Sequence, residues 1–424
     1  MSAVWDEVGW DVEVAIAILA GATVGRWDEA RWDSATWANT DTSLGDWLDV
    51  TCDAVVPWVI SSGSSEDAGV VTRWEAASLS LTLIGPDRRY DPWSGPYAGL
   101  LGPMLPVRVR ARPVGDSAWR PVFTGFVNDD GFSYDQERGS AALVATDSTV
   151  ILARADSPER NPQGQGETAA ARVARILDNG YWPPAARDIT GPGVAVKSTT
   201  LADAAWTQLL QVADTDLALM WVNRAGSLAY RSQARVGSLP VDQLAARVML
   251  CAPDPDPGGP PIRLAVSYTG TQPTIVRNRV SVSRQVNDGA PEASTVTVDV
   301  PGSIARYGPR AYTRTDLIHI DDTWSKRVAN AIAITGGFPS HAPASANLSS
   351  RADPAVVDLL LTIEPDDLVE VTDMDSGRWV CGAAGWSVSM HPREISGDVY
   401  FTDMTKWQAA GWDSSKWDTD KWGF

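Results

Sequence analysis

Short alternating runs dominate the first third of the chain. Leu79-Ser80-Leu81-Thr82-Leu83, Val107-Arg108-Val109-Arg110-Ala111, Val122-Phe123-Thr124-Gly125-Phe126-Val127 and Ala142-Leu143-Val144-Ala145 alternate along the chain. That is the period of a strand with one buried face, and Gly and Pro punctuate the runs. The pattern predicts an antiparallel β-barrel or sandwich over residues 51–155, followed by a polar stretch from Asp156 to Gly166.

The period then lengthens. Glu167 to Asn179 reads as a helix with Val173, Ile176 and Leu177 on one face and Gly180 as its C-cap. Thr200-Leu201-Ala202-Asp203 resembles a capping box with Asp in place of Glu or Gln, opening a helix that buries Trp206, Leu209, Leu210 and Ala213. Leu217 to Val222 and Ser227 to Arg231 read as strands joined across Asn223-Arg224-Ala225-Gly226. Residues 156–240 are therefore expected to form a small α+β domain.

Residues 241–261, with Pro253, Pro255, Pro257, Pro260 and Pro261, read as a stiff Pro/Gly-rich linker. Alternation returns beyond it, at 279–283, 295–300 and 317–320. One helix is expected over Ser325 to Thr335, and strands over 357–363, 368–373, 378–390 and 395–402. This predicts a second β-barrel domain with one helix over 262–404. The expected fold class is mainly β with a small α+β part: two antiparallel β-barrel-type domains plus an α+β domain, flanked by Trp-rich terminal arms.

Those arms, residues 1–50 and 405–424, repeat one short unit. Trp27-Asp28, Trp32-Asp33 and Trp37 near the start are matched by Trp407, Trp412-Asp413, Trp417-Asp418 and Trp422 at the end. A five-residue step turns about 140° around a helix and changes face in a strand, so successive rings cannot line one side of either element. A turn-punctuated arm is expected. Three uses fit it: packing of one arm on the other, packing on a neighbouring subunit, or stacking against sugars. Trp27, Trp32, Trp37, Trp407, Trp412, Trp417 and Trp422 are taken as assembly-interface candidates.

Composition narrows the function. The 424 residues suit about three domains. The longest apolar stretches, such as Val357 to Ile363, fall short of the ~20 residues that a membrane-spanning helix needs. No basic region precedes an apolar run at Met1 to Glu7, so a soluble chain made in a cytoplasm is expected, without stable membrane association. Cys52, Cys251 and Cys381 have no metal-ligand spacing. A net charge of −18 opposes specific nucleic-acid binding, which needs clustered cations to release counterions. Twenty tryptophans against three histidines favour contact area over acid–base chemistry.

Candidate chemical motifs give little. Gly164-Gln165-Gly166-Glu167-Thr168-Ala169 has the letters of a dinucleotide fingerprint, but Ser157 to Gln163 is polar where a buried strand is required. Lys197-Ser198 follows Val196 where a phosphate loop needs glycine. Asp373-Met374-Asp375-Ser376-Gly377 lacks a third calcium ligand and reads as a hairpin turn. His319 reads as a solvated edge histidine, and Glu364, Asp366 and Asp367 as turn residues rather than paired catalytic carboxylates. No enzyme activity, catalytic residue, cofactor or metal is expected.

An ordered set of segments resembles a known family. Leu79 to Leu83 leads to Asp87-Arg88-Arg89-Tyr90-Asp91-Pro92-Trp93, then Gly99-Leu100-Leu101, Pro106 to Arg110, Val122 to Val127, and Ala145-Thr146-Asp147 to Asp156. Thr199-Thr200-Leu201, Val212-Ala213-Asp214 and Gly226 to Arg231 follow, then Arg277-Asn278-Arg279-Val280, Tyr307-Gly308-Pro309-Arg310 and Asp367 to Thr372. In this order, over about residues 70–405, the chain resembles the hub, or tail-associated minor tail, proteins of siphophages infecting actinobacteria. These are related to the central baseplate hub of contractile phages.

The resemblance implies a structural protein of the virion, at the tail tip, made in the bacterial host cytoplasm. It implies two β-barrel domains per chain alternating around a trimer, a homo-oligomer joining the tail tube and distal tail ring to the host-attachment apparatus. The implied partners are the distal tail protein, tail tube protein, tape measure protein and other minor tail proteins. DNA and the tape measure would pass through the lumen, where an acidic lining would repel phosphates. The alternatives are a distal tail ring or other peripheral minor tail protein, and a carbohydrate-binding or carbohydrate-active cell-wall protein.

Overall fold

The computed structural model describes residues 9–18, 46–65, 73–155, 161–180, 182–201, 203–232, 248–251, 265–268, 276–286, 294–339, 343–351, 356–372 and 378–403. The chain opens with β1 (Trp10–Ile18), β2 (Asp46–Asp49), β3 (Ala54–Ser65), β4 (Arg73–Trp74), β5 (Ser78–Ile84), β6 (Pro106–Pro113), β7 (Arg120–Asp135) and β8 (Ser140–Asp147). A central part follows: α1 (Thr149–Arg154), α2 (Ala169–Asn179), β9 (Arg187–Thr190), α3 (Ala205–Asp216), β10 (Leu219–Val222) and β11 (Leu228–Arg231). Next come β12 (Val248–Cys251), β13 (Ala265–Tyr268), β14 (Arg279–Arg284), β15 (Val296–Asp299), α4 (Pro301–Tyr307), β16 (Ala311–Leu317) and α5 (Asp322–Gly336). The last elements are β17 (Pro343–Ser349), α6 (Val356–Thr362), β18 (Leu368–Thr372), β19 (Arg378–His391) and β20 (Glu394–Asp403).

Fourteen strands form one sheet, and its main path runs β13-β17-β20-β19-β3-β5-β8-β7-β6-β1-β2. The two β-rich regions are thus not separate barrels. β3 pairs with β5 on one side and with β19 on the other, so one hydrogen-bonded ladder crosses from the first region to the last. Among the described residues no pair closes either half. Within β3, Pro57 lies in the register shift between Val55 and Val59, where its missing N–H costs no ladder bond.

The register explains the joint. One row across seven strands is Leu348, Gly397, Val388, Ile60, Leu79, Ala145 and Val127. All its apolar members are buried, so both halves share one core. Fully burying each large apolar side chain of this kind stabilises by about 1.5–3 kcal/mol. Gly397 is required for close approach, since a Cβ there would overlap the Ser387 carbonyl.

Three sequence expectations change here. Residues 357–363 form a helix, α6, not a strand: Val356, Val357, Leu359, Leu360, Leu361 and Ile363 are all buried in the shared core. A short run apolar on every side has no period to separate the two forms, and here a helix fills the space over the sheet. The helix expected to open at Thr200 begins instead at Ala205, with no side-chain cap. Finally, residues 10–18 and 46–49, placed in the N-terminal arm, are strands that extend the sheet beside β6.

The central part packs α2 and α3 beside the three-stranded sheet β10-β11-β9 over its own core. A further three-stranded sheet, β15-β14-β16, is covered by α5, with Val280 and Val282 against Val328 and Ile332. α5 starts at Asp321, whose carboxylate accepts the Thr323 amide.

Candidate functional site

Where the β10–β11 hairpin meets the large sheet, four residues make its tip. The Asn223 side-chain oxygen accepts the amides of Ala225 (3.1 Å) and Ser227 (2.9 Å), closing the turn. Gly226 adopts a left-handed φ of 83° and fits against Thr124 and Ser148. The turn drives Arg224, only 5% exposed, into the sheet end. Its guanidinium donates to the carbonyls of Leu360 (2.9 Å), Ile363 (3.2 Å) and Val122 (3.4 Å) and stacks on Trp386. A cation here satisfies orphan carbonyls at the C-terminal end of α6 and complements its dipole.

Glu364 closes the other side. It accepts the Arg224 amide (3.0 Å) and the Trp221 indole N–H (3.0 Å), and burial pushes its carboxyl upward against the pull of Arg224. Asp366 accepts from Arg231 (3.0 Å), and Asp367 caps the Glu364 amide (2.8 Å). The three acidic residues read from sequence as turn residues do form that turn, where Asp367 braces Glu364, and Glu364 and Asp366 also clamp the central part to the sheet.

Asp147 lines the same cleft and is 4% exposed. Its carboxylate accepts the Ala77 amide (2.7 Å) and the Thr149 amide (2.9 Å) and hydroxyl (2.7 Å). Burial outweighs these bonds and raises the group to about 6. The cleft has room for about one water, so it is a joint and not a substrate pocket.

The Gly164–Gly166 loop is filled by protein. Arg172, fully buried, donates to the carbonyls of Lys197 (2.7 Å), Gly164 (3.3 Å) and Gln163 (3.4 Å) and to Glu167 and Thr199. The Gly166 amide, which a phosphate would need, donates to the Val196 carbonyl (2.9 Å). Lys197 reaches the Val286 carbonyl (3.2 Å).

His319 corrects another expectation. It is 1% exposed, and its Nε2 shares a hydrogen bond with the Ser325 hydroxyl (2.8 Å), because the chain leaves β16 and passes under α5. Burial lowers its pKa to about 4, helped by the nearby Arg284. Among the described residues, no three His, Cys, Asp or Glu side chains converge as metal ligands, and no helix is long and apolar enough to cross a membrane.

Two adjacent rows on the outward face of the sheet carry almost no charge. One row reads Ser349, Ser396, Ser389, Val59, Ser80 and Val144; the next reads Asn347, Asp398, Ser387, Ser61, Ser78 and Thr146. Only Asp398 is charged, and Asn347 donates to it (2.9 Å). Further along, Arg108, Arg110 and Arg112 alternate on β6, paired with Glu13 and Asp11 and stacked on Trp47 and Trp119.

The interface candidates Trp27, Trp32, Trp37, Trp407, Trp412, Trp417 and Trp422, and the turn Asp373–Gly377, lie outside the described residues. Sequence reasoning passed over Arg224 and Asp147. Asp147 was signalled by its phase: it continues the inward series Ala141, Leu143, Ala145 with a carboxylate. Arg224 carried no comparable signal, since its partners lie over 100 residues away.

No protein-family model and no characterised protein sequence matches the chain. Solved structures do. A tail protein from Neisseria meningitidis MC58 aligns over 94% of this chain and 98% of its own, with a TM-score of 0.53 and 13% identity. The 43 kDa tail protein of prophage MuSo2 from Shewanella oneidensis gives 0.52 and 11%, over 93% and 99% of the two chains. Prophage tail protein gp18 from Listeria monocytogenes EGD-e gives 0.50 and 9%, over 92% and 95%. The fold is therefore that of phage tail proteins, shared end to end.

Proposed function

We propose that the chain is a non-enzymatic structural subunit of a bacteriophage tail: a hub at the tail tip that joins the tube and distal tail ring to the host-attachment apparatus. The observation that carries this reading is the fold shared over almost the whole length with three tail proteins. The construction agrees with it. Buried polar groups such as Arg224, Glu364 and Asp147 tie the parts to one another, and none lines a cavity of substrate size.

In this reading copies of the chain close a ring, a trimer presenting its β-rich regions alternately, with the distal tail, tube and tape measure proteins as neighbours. The neutral outward rows suit a surface along which DNA and the tape measure slide. They hold no Lys or Arg that could release counterions and retain phosphates. Low friction would follow from the absence of cations in these two rows, and from the pairing of Arg108, Arg110 and Arg112 on β6 with Glu13 and Asp11, rather than from the acidic lining expected from net charge. Trp27, Trp32 and Trp37 near the start, and Trp407, Trp412, Trp417 and Trp422 at the end, are assigned to assembly.

Immunogold electron microscopy of the virions that carry the chain tests the role. Label at the tail end distal to the capsid is expected; label along the shaft, or on the capsid alone, would overturn it.

A further inference from the structure

Two segments far apart in the sequence, Arg277-Asn278-Arg279-Val280 and Tyr307-Gly308-Pro309-Arg310, meet at one corner of the β15-β14-β16 sheet. Asn278, fully buried, holds them together. Its side-chain amide donates to the Ser303 hydroxyl (3.0 Å) and the Gly308 carbonyl (2.8 Å), and its side-chain oxygen accepts the Arg310 amide (2.6 Å). The Arg310 carbonyl in turn accepts the amides of Asn278 and Arg279 (both 3.1 Å), and the Arg277 amide donates to the Gly336 carbonyl (2.8 Å) at the end of α5. Three arginines are thereby fixed at one corner: Arg277 just before β14, Arg306 in the last turn of α4, and Arg310 just before β16.

These three cations are not neutralised. Elsewhere arginines commonly meet carboxylates, as Arg110 meets Glu13, Arg187 meets Asp178 and Arg279 meets Asp299. Among the described residues, Arg277, Arg306 and Arg310 have no carboxylate partner. They meet rings instead. The Arg277 guanidinium lies 4.4 Å from the centre of the Tyr312 ring, and that of Arg306 lies 5.3 Å from the centre of Tyr307, itself edge-on to Phe338. Stacking restrains the planar cation while leaving its charge and its N–H edge available. Folding accounts for Arg277, which packs against Gly336 at the end of α5. It gives no use to the exposed Arg306 and Arg310, whose side chains make no hydrogen bond among the described residues. An unpaired basic corner on a chain of net charge −18 selects an anion.

We propose that this corner is a docking surface for a carboxylate-rich segment of a different polypeptide. A guanidinium matches a carboxylate through two parallel hydrogen bonds, so a few arginines suffice for recognition. A nucleic acid fits less well: its phosphates would continue beyond the corner over a chain of net negative charge, and three cations release too few counterions to hold it at physiological salt. A short acidic segment carries its charge only where the corner is. The inference goes beyond the tail role proposed above and does not depend on where in the virion the chain sits.

Fluorescence anisotropy of a labelled oligoglutamate peptide titrated with the full chain tests it. Oligoglutamate should bind, and oligoglutamine of the same length should not. Arg306→Gln/Arg310→Gln should weaken binding about tenfold or more, at an unchanged melting temperature. Arg138→Gln/Arg351→Gln, which removes the same charge from exposed arginines elsewhere, should leave it unchanged. No binding of oligoglutamate, binding untouched by Arg306→Gln/Arg310→Gln, or equal losses in the two double variants would overturn the proposal. So would tighter binding of oligothymidylate, which would give the corner to nucleic acid. Association of the chain without peptide that Arg306→Gln/Arg310→Gln abolishes would give it to a second copy and overturn the proposal as well. Should that variant fail to fold, hydrogen exchange of the unsubstituted chain decides: amides of residues 304–310 must gain protection when oligoglutamate is added, and protection only elsewhere would refute the docking surface.

Discussion

The guanidinium of Arg224 lies 3.6 Å from the centre of the Trp386 ring, joining a hairpin tip of the central part to a strand of the large sheet. Its donors end on three backbone carbonyls from two other segments, so one side chain fixes three pieces of chain against each other. Planarity makes this possible: the flat cation stacks on the indole while its edge donates.

Replacing Arg224 by Ala should destabilise the protein by about 3–5 kcal/mol, since three buried carbonyls lose their donor and buried Glu364, though it keeps the residue 224 amide and the Trp221 indole, loses the nearby cation that offsets its burial. Arg224→Lys should recover little, because an ammonium cannot stack and reach three acceptors together. Denaturant unfolding of the three chains checks the order.

Asp147 should make stability depend on pH in an unusual direction. Its folded pKa of about 6 lies above the usual 3.8, so the fold binds its proton more readily than the unfolded chain does. This contribution is unfavourable above pH 6 and is relieved as the pH falls towards 4, by roughly 3 kcal/mol at most. In Asp147→Asn the rise in melting temperature on acidification from pH 7 to 4 should shrink; an unchanged rise would refute the assignment.

His319 acts in the opposite sense. Its folded pKa of about 4 lies below the usual 6.5, so acidification charges it in the unfolded chain first and costs stability between pH 6.5 and 4. His319→Gln should remove this loss while keeping a polar group opposite Ser325. Melting curves of the substituted and unsubstituted chains should diverge below pH 6.5 and run parallel above it.

Gly397→Ala should lower stability by about 2 kcal/mol or more, because the added methyl forces β19 and β20 apart in the shared row. Gly102→Ala, with nothing within 4 Å of its new methyl, should change stability by less than about 0.5 kcal/mol. Equal effects at the two positions would contradict the row described here.

The alternating segments were legible because their information is local. Leu79, Leu81 and Leu83 declare a buried face without reference to anything else, and β5 carries it as expected. The helices expected over Glu167–Asn179 and Ser325–Thr335 were legible from their apolar period, but their starts at Ala169 and Asp322, set by the caps Thr168 and Asp321, were not. Residues 357–363 were misread because a uniformly apolar run carries no period. His319 was misread because its burial is imposed by α5, which covers it after the strand ends.

The sequence by itself determined the mainly β composition, the α+β insertion, and which side of most strands faces inward, for side-chain period is a property of neighbours along the chain. Tertiary structure alone decided that both β-rich regions build one sheet through β3 and β19, that Arg224 bonds across more than 130 residues to Leu360, and that Asn278 brings Arg277 beside Arg310. Strand edges are chemically alike, each offering the same amides and carbonyls, so no local pattern says which edge will pair with which. That choice falls to the common core, where a joined sheet buries apolar surface from both regions together.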